Sequence, residues 1–309
     1  MTDMDFLTLR FDELRDWFGT IQRKSGESLH LYALVDGVLD EPVLQKIIQY
    51  EVSWRNLYPP TMLESHTPEA APYRVDLTAG EREHAAVMRL LLRRGQDKDL
   101  VAWVASRQRL RDLAAHFHPY AEIVMPERRR ALLRYYDPSI MDILLRVFSD
   151  EQREHFLSAF YECRYWQDGW SAIAGKDYET LPPALERSIV LTAEQCEVMG
   201  NDSFAQTLYH NLKPKMVPRM ANIEKHQCID YIRQLLARAT QRYKLTTQAD
   251  LAYFSLLGLN VNLTFDAHPQ IVEALLANRG SPDALSLRLS HVEEAVWHQL
   301  FEERAPLTT

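Results

Sequence analysis

The sequence predicts an α/β N-terminal lobe, a small mixed sheet with flanking helices, followed by an all-α C-terminal lobe. Three observations predict it. Leu29–Gly37 (LHLYALVDG) is a short, uninterrupted apolar run closed by Asp-Gly, the mark of a buried strand ending in a turn. Pro42 then opens a helical pattern in which Val43, Leu44, Ile47, Ile48 and Val52 share a face, so a strand passes through a turn into a helix as in half of a βαβ unit. Beyond residue 180 strand signals stop and the chain reads helical to its end.

Residues 1–25 form an amphipathic helix with Leu7, Phe11, Leu14, Trp17, Phe18 and Ile21 on one face, which either packs on the lobe or serves as a partner-binding arm. The strand at 29–36 and the helix at 42–52 follow. Trp54–Tyr58 runs into Pro59-Pro60, which stops any helix, and 61–70 reads as loop. Ala71–Leu77 alternates and predicts a second strand. A helix spans 81–94, with Val87, Leu90 and Leu91 apolar and Arg89, Arg93 and Arg94 elsewhere. Asp99–Ala105 is strand or helix, which periodicity does not separate. Gln108–Phe117 is helical, ending near Pro119.

Ala121–Met125 and Ala131–Tyr136 flank the basic turn Pro126–Arg130 and predict an antiparallel hairpin. The second of these strands ends at Asp137-Pro138 and repeats the strand–Asp–helix pattern, with Ser139 placed to cap a helix carrying Ile140, Ile143, Leu144 and Val147. The two strand–Asp–helix halves predict one sheet between them. Gln152–Cys163 reads as helix, followed by an aromatic cluster of Tyr165, Trp166 and Trp170. The Gly- and Pro-bearing stretch 169–183 marks a boundary, giving domains 1–180 and 181–309. In the second, helices are expected at 192–199, 202–211, 218–243, 247–259, 269–278 and 283–303, with Thr247 and Ser281 as N-caps, Pro269 and Pro282 in first turns and Gly280 at a helix end.

Net charge is −8, against a nucleic-acid surface as the main business of the chain. The three cysteines, Cys163, Cys196 and Cys228, form no CxxC pair and fit a reducing compartment. Met1–Arg10 has no apolar signal region, and no stretch approaches the roughly 18 apolar residues of a membrane span, so a cytoplasmic protein is expected.

Candidate chemistry is sparse. Gly169–Lys176 has five residues between its glycines where a phosphate loop needs four, and Asp177 stands where a Ser or Thr should hold magnesium. His116 and His118 are either a two-imidazole metal fragment or helix-end residues favoured by the dipole. Asp36, Asp76 and Asp137 each fall at or near a strand end, where an α/β sheet binds ligands; they either converge to hold a divalent cation or act as turn and cap residues. Arg128–Arg130 reads as a solvated hairpin tip, and Tyr165, Trp166 and Trp170 as groove or core.

In order along the chain, Leu31–Gly37, Trp54, Leu57-Tyr58, Ala71–Leu77, Leu133-Arg-Tyr-Tyr-Asp-Pro138 and a helix running to Trp166 resemble the DUF-type adaptor/chaperone domain of bacterial type VI secretion, the Tap/Tec family, over about residues 29–166. The resemblance implies a non-enzymatic cytoplasmic adaptor that binds a secreted effector (a toxin) and promotes its loading onto the VgrG spike, with no cofactor, no nucleic acid and no membrane among its partners. On this reading Tyr58, Tyr165, Trp166 and Trp170 contact the partner in a groove between the lobes. The motif positions Asp36, Gly37, Trp54, Pro72, Arg134, Tyr136 and Asp137 are mainly structural, with Arg134 paired to an aspartate. The rival reading is a metal-dependent hydrolase built on the three strand-end aspartates.

Overall fold

The computed structural model describes residues 3–26, 28–37, 41–67, 71–78, 80–95, 101–166, 169–176, 178–183, 185, 188–217, 223–277 and 284–304. The chain divides into two compact units, 1–199 and 200–309.

The first unit is organised on a six-stranded sheet in the order β2-β3-β1-β4-β7-β8, formed by β1 (His30–Val35), β2 (Trp54–Asn56), β3 (Tyr73–Asp76), β4 (Val101–Ser106), β7 (Glu162–Trp166) and β8 (Trp170–Ala174). Every pairing in it is antiparallel. Helices α1 (Asp3–Ser25), α2 (Glu41–Gln49) and α3 (Arg82–Arg94) bring Phe11, Leu14, Leu44, Ile47, Val87 and Leu91 onto one face, against Leu31, Ala33, Val75 and Trp103. The other face, with Tyr32, Leu34, Ala102, Val104 and Cys163, is covered by α4 (Leu110–Phe117), α5 (Pro138–Val147) and α6 (Asp150–Leu157). A small second sheet joins that core, with β5 (Glu122–Val124) between β6 (Arg130–Leu132) and β9 (Ile189–Val190), the latter pairing in parallel.

This double cover explains the Leu29–Val35 run. With all of β1 but His30 buried, successive side chains enter two different apolar cores, so the strand reads as continuous rather than alternating. The run therefore reported two covered faces, not parallel neighbours, and the βαβ expectation is corrected. The second strand–Asp–helix half also lies elsewhere: only Arg130–Leu132 of that stretch is a strand, and it belongs to the small sheet. The hairpin itself forms, registering Ile123 with Ala131, and its tip places Glu127 and Arg128 at φ 62° and 59°. Asp99–Ala105 resolves as strand β4 from Val101 onward, its residues all buried; 96–100 lie outside the described residues.

Two expectations near residue 160 are also corrected. The helix expected over Gln152–Cys163 ends at Leu157, and β7 begins at Glu162. The stretch after Gly169 is not a break but the edge strand β8, whose small Ser171, Ala172 and Ala174 gave little apolar signal. Gly175 closes it, its N–H bonding Tyr161 O at 2.9 Å. A Cβ there would stand 1.6 Å from Phe160 O, so only glycine lets the backbones meet. The capping residue of α5 is Asp137 rather than Ser139, because Pro138 takes the first helical position and moves the cap one residue upstream of it. The Ser149/Gln152 capping box of α6 was not anticipated.

The second unit is helical. One helix, Ala193–Leu212, runs through Gly200 where two were expected, and carries the division between the units. Lys225–Gln241, Gln248–Asn260, Pro269–Ala277, Leu285–Arg288 and Glu294–Glu302 follow, packed about Ile232, Leu235, Phe254, Leu259, Phe265 and Leu275. Thr247 caps its helix, accepting from the Asp250 N–H at 3.1 Å. Gly258 lets two helices approach: a Cβ there would lie 2.3 Å from Leu235 Cδ2. The expected positions of Gly280, Ser281 and Pro282, and residues 218–222 and 278, lie outside the described residues. Among the described residues no helix is long and apolar enough to cross a membrane.

Candidate functional site

The residues that carried the family resemblance meet where β1 ends. Asp36 follows the last residue of β1 and is fully buried. Leu133–Asp137 forms a turn closed by Asp137 N–H to Arg134 O at 3.0 Å, which drives Tyr135 and Tyr136 into the core and swings Arg134 back toward β1. Arg134 Nη2 donates to Asp36 Oδ2, and the same nitrogen lies 3.0 Å from Asp137 Oδ2. The other oxygen of Asp137 accepts from Ser139 N–H at 2.9 Å and Ser139 Oγ at 2.7 Å, fixing the start of α5. One guanidinium thus clasps the end of the central strand to the first turn of a helix 100 residues on. Burial alone would lower the Arg134 pKa, but the charges of Asp137 and Asp36 outweigh it and raise it.

Tyr58 and Tyr136 extend this cluster, their hydroxyls 3.3 Å apart. Both phenol pKa values are raised, chiefly by burial; for Tyr58 the Tyr136 hydroxyl opposes the shift, and for Tyr136 the Tyr58 hydroxyl adds to it. Gly37 is buried beside Asp36. Pro72 is buried too, its carbonyl accepting from Leu57 N–H at 2.9 Å, and Trp54 stands edge-on to Tyr73 at 6.3 Å.

The expected contact residues have different places. Tyr58 and Tyr165 are buried in the core, Tyr165 donating to Asp142, so neither has a face to offer a partner as expected. Trp166 and Trp170 are half-buried and face each other across the β7–β8 hairpin, perpendicular at 5.4 Å. The Arg10 guanidinium of α1 sits 3.8 Å over the Trp166 ring, and Trp170 Nε1 donates to Glu13 at 2.8 Å. These tryptophans hold α1 on the sheet, which settles α1 as a packed helix rather than a free arm.

The three strand-end aspartates do not converge. Asp76 registers with Tyr32, four residues back along β1 from Asp36 and so about 13 Å away; its Oδ1 accepts from Thr78 N–H at 3.0 Å and from Thr78 Oγ1 at 2.6 Å. Among the described residues no group of three His, Cys, Asp or Glu side chains is arranged to hold a metal. His116 is buried and stacks on His155 at 4.6 Å, and His118 lies beyond the helix end in a short 3-10 turn.

A feature that sequence reasoning passed over is a cleft of about 500 Å³ between α2 and α3, lined by Lys46, Arg89, Arg93 and Arg94 together with Val43 and Leu90. Its signal was present: Arg89 and Arg93 lie one turn apart, off the buried Val87–Leu91 stripe.

Residues 31–155, about two-fifths of the chain, match the model of a family described as a domain of unknown function, DUF4123. The match begins in β1 and ends in α6, and it encloses Asp36, Tyr58, Arg134, Tyr136 and Asp137, while Trp166 and Trp170 fall beyond it. No curated protein and no solved structure matches the chain.

Proposed function

We propose that the protein is a cytoplasmic, non-enzymatic adaptor that binds an effector of a type VI secretion system and promotes its loading onto the VgrG spike. The observation that carries this reading is the family match over 31–155, which falls on the residues whose order first resembled the Tap/Tec adaptors. The geometry supports it in one respect: the motif residues form a clasp, with both carboxylates engaged by Arg134, as a framework for a binding surface requires.

The mechanism follows from ordinary association physics. A rigid, doubly covered sheet presents helical surfaces on which apolar faces of an effector can lie. Covering those faces before assembly suppresses aggregation. Release at the spike requires that the effector's spike-bound state be the more favourable one, since an adaptor shifts a population only by its differential affinity.

The test is purification of the tagged protein from the cytoplasm of cells with an active type VI system, with mass spectrometry of what elutes. One large toxin-like protein in stoichiometric amount, retained when the tag is moved to the other terminus, is the expected result. A protein that elutes alone from both tagged forms overturns the reading.

A further inference from the structure

We propose that the cleft between α2 and α3 is a docking site for an acidic amphipathic helix of a partner protein. The inference rests on the adaptor reading and names a surface and a partner chemistry for it.

The cleft arises from how the two helices bury their apolar stripes. Val43, Leu44 and Ile47 of α2 and Val87, Met88, Leu91 and Leu92 of α3 enter one core, so the helices lie side by side with their outer flanks facing each other. Those flanks are basic. Lys46, which donates to Gln49 at 3.0 Å, lines it from α2 and Arg89, Arg93 and Arg94 from α3, the Arg89 guanidinium also lying 3.9 Å over the Phe11 ring of α1; all are exposed, and among the described residues no carboxylate lines the cleft. Such a concentration is unexpected on a chain of net charge −8 and raises the local concentration of an anionic partner.

The walls between the cations are apolar. Val43, Ala86 and Leu90 line the cleft, and Tyr50 at its end is 39% exposed. Apolar walls under a basic rim suit a helix with one apolar and one acidic face better than they suit a nucleic-acid backbone, which offers only charge at such a depth. The nine residues of α2 set a length of about 13 Å, room for two to three turns of a docked helix.

The test uses the full-length protein and a fluorescein-labelled helical peptide of 14 residues, Leu on one face and Glu on the other. Its charge-reversed Lys twin and a single-stranded DNA 14-mer serve as controls, and binding is read by fluorescence anisotropy. The expected result is saturable binding of the acidic peptide alone, weakened about tenfold in Lys46→Glu/Arg93→Glu, with the Lys twin gaining affinity for that variant. Both positions are exposed, and an unchanged melting curve confirms that the variant folds. Binding of the acidic peptide that ignores the reversal overturns the proposal, as does preferential binding of the DNA. Purification of the same variant from cells separates the two readings: an effector that still co-purifies overturns the cleft assignment and leaves the adaptor standing. No effector with the unaltered protein overturns the adaptor reading, whatever the peptide does.

Discussion

Arg134 and Arg74 lie in the same unit and are opposite cases of an arginine set against the core. Arg134 is 45% exposed, yet two carboxylates reach it. Arg74 of β3 is fully buried on the face that holds Tyr32 and Leu34, and among the described residues none of its three guanidinium nitrogens has a hydrogen-bond partner. Its cross-strand neighbour is another cation, Arg55, a pairing that is itself unfavourable. Asp76, two residues on, gives an oxygen to Thr78 instead. Burial pushes the Arg74 pKa down to about 10, so it stays charged at neutral pH and carries a desolvation cost that the attraction of nearby Asp76 offsets only in part. The difference teaches where this unit is held and where it is held back: the clasp joins elements distant in sequence, while the charge under β3 opposes folding.

The largest effect belongs to the clasp. Arg134→Met leaves Asp36 buried without its cation, and breaking such a pair costs about 3 kcal/mol, the low end of the range because Arg134 itself is half in water. Urea unfolding at pH 7 should show that loss, and adding Asp36→Asn should recover part of it, since Asp137 still lacks the cation it shared. A single variant within about half a kcal/mol of the parent would show that the clasp carries no stability.

How much of this was legible follows the same division. The strand–Asp-Gly and Tyr-Tyr-Asp-Pro signals are local turn chemistry, so β1 and the 121–132 hairpin could be read from sequence, while the Arg134–aspartate pairing came only with the family resemblance. What periodicity cannot report is which face a strand turns to which neighbour. The two-sided burial of β1 was therefore mistaken for a parallel neighbour, and the edge strand β8, poor in large apolar residues, for a linker. The partners of Trp166 and Trp170 lie some 155 residues away on α1, a separation that no local pattern spans. The α2–α3 cleft was hidden for another reason: the pattern of α3 alone places Arg89, Arg93 and Arg94 off its apolar side and says nothing of the helix that stands beside them.

His116 extends the comparison to a group that avoids its charge. Burial lowers its pKa to about 4, with the neighbouring His155 adding to the shift. An unfolded chain takes up that proton near pH 6.5, so the unfolded state binds more protons between about pH 6.5 and 4 and stability falls as pH falls through this window. By pH 5 the loss from this one residue is about 2 kcal/mol. His116→Leu should flatten the pH dependence of unfolding between pH 7 and 5 by that amount. An identical slope in parent and variant would assign the acid sensitivity to other groups.

The smallest effect expected is a gain. Arg74→Met keeps the long unbranched stem among Tyr32 and Leu34 and removes a guanidinium that, among the described residues, no carboxylate hydrogen-bonds. Replacing buried charge by apolar side chains of similar volume is commonly neutral or stabilising, and about 1 kcal/mol is expected here. The gain is small because the variant also surrenders the attraction between Arg74 and the Asp76 and tyrosine oxygens around it. His118 supplies a second reading: its pKa is lowered by burial and then by the charge of Arg74, so the variant's His118 should titrate at higher pH, as followed by NMR of the imidazole. A variant that is less stable than the parent, with His118 titrating unchanged, would place the guanidinium away from this core face. It would then remove the contrast with Arg134 that the buried position of Arg74 sets up.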